Sequence, residues 1–201
     1  MKTKNNGFSL LEMLTVMVIA AIISSLVIFG MNAHKRAVLV AKTRMQFMEY
    51  ESAINMYCRE YGDLPTFFSN EEMVALHEET NSAIFVKILS GKTPSGEPLP
   101  AEEQKTLNPK GKAFHNFADS EFYLNVDSSR DYTAIADAFN NTRIFVIVED
   151  PFDNDTIISK EKFPEEVRKY IKGDGVKNSI AIFSISEDKR TVISNCFDQY
   201  F

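Results

Sequence analysis

From Phe8 the chain reads FSLLEMLTVMVIAAIISSLVIFGMNA, with no charged residue between Met13 and Ala33. Those 21 residues, at about 1.5 Å per helical residue, reach about 32 Å against a hydrocarbon core of about 30 Å, so as a helix they are long enough to cross a membrane. After His34 charged side chains return in nearly every block of ten, and the apolar ones take up helical spacing. Val38, Ala41, Met45 and Met48 follow one stripe, and Phe47, Tyr50, Ile54, Tyr57 and Tyr61 follow another. No proline occurs before Pro65, so one helix from about Phe8 to about Tyr61 is predicted. Its second half is amphipathic, with the apolar face expected under a sheet. Gly62 is the expected C-terminal cap, and Asp63-Leu64-Pro65 ends the helix.

Beyond the helix the pattern shortens. Residues 70 to 90 predict two short helices, started by Asn70 and by Asn81 or Ser82 and stopped at Gly91. From Gly91 to Lys112 the chain is rich in Pro, Gly, Lys and Glu with hardly an apolar anchor, which predicts an exposed, mobile loop. Strands are expected at Glu121 to Val126, Arg143 to Val148, Thr156 to Ile158, Ser179 to Ile185 and Thr191 to Ser194, the last two as a hairpin. A helix from Pro164 to Ile171, with proline at its first position, interrupts them. The fold class that follows is α+β: a long N-terminal helix, transmembrane and then amphipathic, packed on a C-terminal antiparallel sheet.

Glu12 breaks the apolar run, where a charge costs about 2.5 to 3.5 kcal/mol on insertion scales. It needs a partner. Lys2 and Lys4 ahead of the run hold the start of the chain in the cytoplasm. A secretory signal peptide would instead be cut after its apolar core. If the chain is cut between Gly7 and Phe8, the new α-amino group stands four residues from Glu12 on the same helix face. Within one subunit the two charges could neutralise each other. Between subunits they would match the start of one helix to the flank of the next and set their register.

Gly7-Phe8-Ser9-Leu10-Leu11-Glu12 resembles the processing motif of type IV prepilins and type II secretion pseudopilins: glycine before the cut, an aromatic first residue, and glutamate at the fifth mature position. The resemblance implies that a prepilin peptidase removes Met1 to Gly7 and N-methylates Phe8. It also implies that Glu12 pairs with the amine of an adjacent subunit in a filament built from an inner-membrane assembly platform. Where many such proteins carry a proline late in this helix, the chain reads Phe29-Gly30. Tyr57-Cys58-Arg59-Glu60-Tyr61-Gly62-Asp63-Leu64-Pro65-Thr66 looks like the helix end of major pseudopilins. Ile88-Leu89-Ser90-Gly91, Leu107-Asn108-Pro109-Lys110-Gly111 and Phe114-x-x-Phe117 resemble an insert found in some pilin-like proteins.

The expected division is a leader at 1–7, a transmembrane and fibre-core helix at 8–33, its amphipathic half at 34–62, and a head at 63–201 with an inserted region at about 70–120. The expected location is a bacterial inner membrane, crossed once with the N-terminus cytoplasmic and the head outside, and then an extracytoplasmic filament. Copies of itself, other pilin-like subunits and the lipid bilayer are the expected partners. A membrane-anchored binding module that never polymerises is the alternative, with Glu12 reaching to the cytoplasmic interface.

The formal charge of −6 becomes two units more negative if Lys2 and Lys4 leave with the leader, and nucleic acid is not an expected partner, because phosphate binding needs clustered Lys and Arg. Cys58 and Cys196 form no C-x-x-C pair; in an oxidising compartment they could be disulfide partners, or they are two separate thiols. His34, His77 and His115 are scattered without metal-ligand spacing. Asp150, Asp153, Asn154 and Asp155 carry oxygens of the kind calcium favours, but not at EF-hand spacing, and with Pro151 and Phe152 among them they read as a solvated turn. Asn140-Asn141-Thr142 and Asn154-Asp155-Thr156 also read as turns. No G-x-S-x-G, P-loop or G-x-G-x-x-G occurs, so neither an enzyme nor a cofactor is expected.

Overall fold

The computed structural model of the chain describes residues 10–69, 72–78, 80–153 and 155–197, without the side chains of 26–33. Helix α1 runs from Leu10 to Tyr61, passing through Gly30. By contacts the chain divides into a unit up to Leu39 and a unit from Val40 onward, and each is described by itself. The second unit is the head. After α1 come α2 (Thr66–Ser69), β1 (Val74–Ala75), α3 (Asn81–Ser90), α4 (Ala101–Leu107), β2 (Phe122–Leu124) and β3 (Arg130–Ile135). They are followed by β4 (Ile144–Val148), β5 (Ile158–Ser159), α5 (Glu165–Arg168), β6 (Gly175–Val176), β7 (Ile180–Ile185) and β8 (Val192–Ser194).

A four-stranded antiparallel sheet in the order β1-β4-β7-β8 carries the head. Because side chains alternate across a strand, Ile144, Val146, Ile180 and Ile182 face one core, shared with Phe47, Tyr50, Ala53, Ile54, Tyr57 and Cys58 of α1. Phe145, Ile147, Ala181, Phe183 and Ile185 face a second core, closed by Ile158, Phe163, Val167, Ile171 and Val176. Burial on both faces is why β7 reads as an almost unbroken apolar run rather than an alternating one. The α+β architecture and the β7–β8 hairpin are as expected.

Only one of the two helical stripes is covered. Phe47, Tyr50, Ile54 and Tyr57 are buried, whereas Val38, Met45 and Met48 are exposed, as is Met56 further along the same side. The two stripes lie on opposite sides of one cylinder, and the sheet takes the aromatic one, which offers more area to bury. Gly62 caps α1 with a positive φ of 73°, and its N–H donates to the Cys58 carbonyl at 2.8 Å.

Three expectations are corrected. The first of the two short helices expected in 70 to 90 gives way to β1, which pairs with β4 through Val74 and Ala75. The ribbon partner β3 and the short strand β6 are additional strands. The stretch from Gly91 to Lys112 is anchored rather than free. Asn108 is wholly buried, its amide donating to the carbonyls of Ile88 (2.9 Å) and Lys112 (2.7 Å). Its Oδ1 accepts from the Lys112 N–H (3.0 Å) and the Tyr61 hydroxyl (2.6 Å). With the Tyr57 hydroxyl donating to the Leu107 carbonyl at 3.0 Å, the insert is fastened to α1. Gly91, which stops α3, stands where a Cβ would come within 3.1 Å of the Gly111 backbone.

The loop 136–141 is latched in the same manner. Thr43 Oγ1 accepts from the Ala138 N–H (3.2 Å) and Gln46 donates to the Ala136 carbonyl (2.9 Å). Asp137, 3% exposed, accepts from the Phe139 and Asn141 backbone N–H groups and from the Ser184 hydroxyl. Asn140 and Asn141 spend their side chains on Leu124 and on the Ile185 carbonyl, so both serve the turn.

Replacing Phe47 by alanine should cost about 3 to 5 kcal/mol in denaturant unfolding, whereas Met48→Ala, one position round the helix, should change stability by no more than about 0.5 kcal/mol. Burial raises the Asp137 carboxyl above its ordinary value, against the hydrogen bonds from Ser184, Asn141 and Phe139 that favour its charged form. A folded-state value above the unfolded one means that its contribution is full below about pH 3.9 and is lost as pH rises through the folded value. Asp137→Asn should therefore flatten that decline in a series of unfolding curves from pH 3 upward.

Candidate assembly surface

The described part of the first unit begins with a helix segment whose surface is unlike the rest. Leu10, Leu11, Met13, Leu14, Val16, Met17, Val18, Ile19, Ile22 and Ile23 are each more than half exposed. At 100° per residue they point to all sides of α1. A helix that is apolar all round belongs in a protein core or in lipid. Its hydroxyl groups suit either, since each donates back to a carbonyl of the preceding turn: Thr15 to Glu12 (2.9 Å), Ser24 to Ala20 (2.8 Å) and Ser25 to Ile22 (2.7 Å). No hydroxyl of this segment needs water. Glu12 stands on this segment, near the described start of α1.

No helix among the described residues is long and apolar enough to cross a membrane. The side chains of 26–33, which complete the stretch expected to span, lie outside the described ones. Gly7 and Phe8, the expected cleavage and methylation positions, also lie outside the described residues.

The other singled-out residues sit in the head and do not come together. Cys58 is buried in the core between α1 and the sheet, while Cys196 packs against the cluster on the sheet's other face. Both are free thiols. The bridged alternative is therefore not the one the structure takes, because the sheet stands between them. Burial pushes each thiol up to about 11.

Of the histidines, His34 is exposed and His77 packs edge-on against Phe145, its pKa lowered first by burial and then by Arg143. His115 Nε2 lies 2.9 Å from Glu121 Oε2, which also accepts from the Tyr50 hydroxyl at 2.7 Å, so this buried group ties the insert to α1. Burial raises the Glu121 pKa, but the hydrogen bonds from His115, Ala118 and Tyr50 outweigh it and leave the value lowered. Sequence reasoning missed this network, whose members lie 71 residues apart at the widest. Asp150 and Asp153 accept from the Phe152 and Asp155 backbone N–H groups (2.8 and 2.9 Å), and Asp155 pairs with Lys177 at 3.1 Å. Among the described residues, no three His, Cys, Asp or Glu side chains form a group that could hold a metal ion.

The family model described as the prokaryotic N-terminal methylation motif matches residues 2–28, a hallmark of type IV pilin and pseudopilin precursors. The match takes in the start of α1 with Glu12, together with Gly7 and Phe8. No curated protein and no solved structure matches the chain.

Thiol titration checks the cysteine assignment. Unfolded without reductant at pH 8, the chain should yield both thiols at once, and the folded chain should react far more slowly, because thiols shifted to about 11 hold little thiolate. A protein with no titratable thiol would contradict the two separate cores.

Proposed function

We propose that the chain is a non-enzymatic structural subunit of a type IV pilus-like or type II secretion pseudopilus filament, inserted in a bacterial inner membrane and polymerised through its N-terminal helix. The observation that carries this is a coincidence: the methylation motif at residues 2–28 lies on a helix segment that is apolar on every side and exposed along its described length. One surface then serves two solvents. In the membrane it faces acyl chains; in the filament it faces the same helix of other subunits. Prepilin peptidase frees and methylates the amine of Phe8, and in apolar surroundings that amine is drawn to the Glu12 carboxylate of a neighbouring subunit. A head-to-tail contact of this kind does not close and so grows into a helical fibre. The head, with its own two cores, supplies the outer surface of the fibre.

Glu12→Leu tests the docking role. The variant should remain in the membrane fraction, because the helix becomes more apolar. Its yield of sheared filaments should fall about tenfold or more, because an amine buried without its carboxylate costs several kcal/mol. Wild-type filament yield would count against the pairing.

A further inference from the structure

Away from the helix the head holds an open cleft of about 370 Å³ between the end of α3, the loop 92–98 and the β2–β3 ribbon. That volume lies at the lower end of the roughly 300 to 1,000 Å³ of small-molecule sites. Its floor is aromatic, with the ring of Phe117 at 6.1 Å from that of Phe122 and Phe122 at 5.2 Å from Tyr132. Phe122 is buried, but Tyr132 is 40% exposed, and its hydroxyl donates to Asp119 Oδ1 at 3.2 Å. Lys92, Asn116 and Asp119 stand exposed around this floor. Among the described residues neither the Lys92 ammonium nor the Asn116 amide is engaged by the fold.

We propose that this cleft binds a neutral pyranose saccharide. Four ligand classes can be weighed against its chemistry. A phosphate or carboxylate would gain Lys92 but meet Asp119, and a cationic group would meet the reverse, so the cancelling charges select neither. A purely apolar ligand would take water from both charges and return no hydrogen bond. A pyranose ring fits. Its C–H face can lie on the electron-rich face of Tyr132, and its hydroxyls both donate and accept. They match the carboxylate of Asp119, the ammonium of Lys92 and the two-sided amide of Asn116. The site is independent of filament assembly, since each residue belongs to the head.

The test uses the full chain in a zwitterionic, sugar-free detergent. Cellobiose, N-acetyllactosamine and chitobiose are the probes, with glucose 6-phosphate and tetra-alanine as controls, read by saturation-transfer NMR and titration. At least one disaccharide should bind, with transfer strongest to the C–H protons of one ring face. Tyr132→Ala should weaken it about three- to tenfold, while Tyr132→Phe keeps most of the affinity. Asn116→Ala, on an exposed residue, gives a second reading should Tyr132→Ala disturb the fold. The proposal is overturned if none of the three disaccharides binds, if only the sugar phosphate or the peptide binds, or if binding survives both alanine variants unchanged.

Discussion

Ten large apolar side chains around the first turns of α1 are left more than half exposed, and covering them is the requirement on which everything else depends. At about 1.5 to 3 kcal/mol for fully burying each side chain, and with somewhat more than half of each still exposed, the driving force is on the order of 10 to 20 kcal/mol, as much as the whole stability of many domains. It is not directional, since apolar surface attracts lipid and another helix alike. Direction has to come from a charge, and in the described part of this segment the charge is Glu12. An amphipathic helix would have bound one partner along one stripe. A helix apolar on all sides is surrounded.

The head meets a different demand. Under the proposed function it has to stay folded while its helix exchanges surroundings, and it has two cores for this, one on each side of a single sheet. Only the first involves α1. The grip on α1 is reinforced by polar contacts from sequence-distant loops: Asn108 to Tyr61, Glu121 to Tyr50, Ala138 to Thr43. Each is buried or half buried, where breaking one partner leaves the other unsatisfied and costs more than the bond itself contributes. Such contacts fix the insert and the sheet to particular turns of the helix.

How much of this could be read from the residues depends on range. The aromatic stripe, the Gly62 cap, the α3 stop at Gly91 and the hairpin at the C-terminus are local patterns, and the structure holds them where periodicity and turn chemistry put them. Val38, Met45 and Met48 have the same helical spacing as the buried stripe, and spacing alone cannot say which of two opposite stripes meets the sheet. Val74 and Ala75 are too few to show alternation, so β1 exists only through its pairing with β4. Asn108 could be read as a turn residue before Pro109, but not as the buried anchor whose partners are Ile88, Lys112 and Tyr61. Of the residues proposed for assembly, Glu12 stands out in the sequence because a carboxylate in an apolar run has few uses. Gly7 and Phe8 rest on the motif alone.

The most direct measurement is the intact mass and N-terminal sequence of the protein isolated from its native membrane. The account predicts a chain that starts at Phe8 with a methylated α-amine, lacking Met1 to Gly7. A mature chain that still begins at Met1 would leave Glu12 without the amine it is meant to dock, and would contradict a polymerising role for the helix.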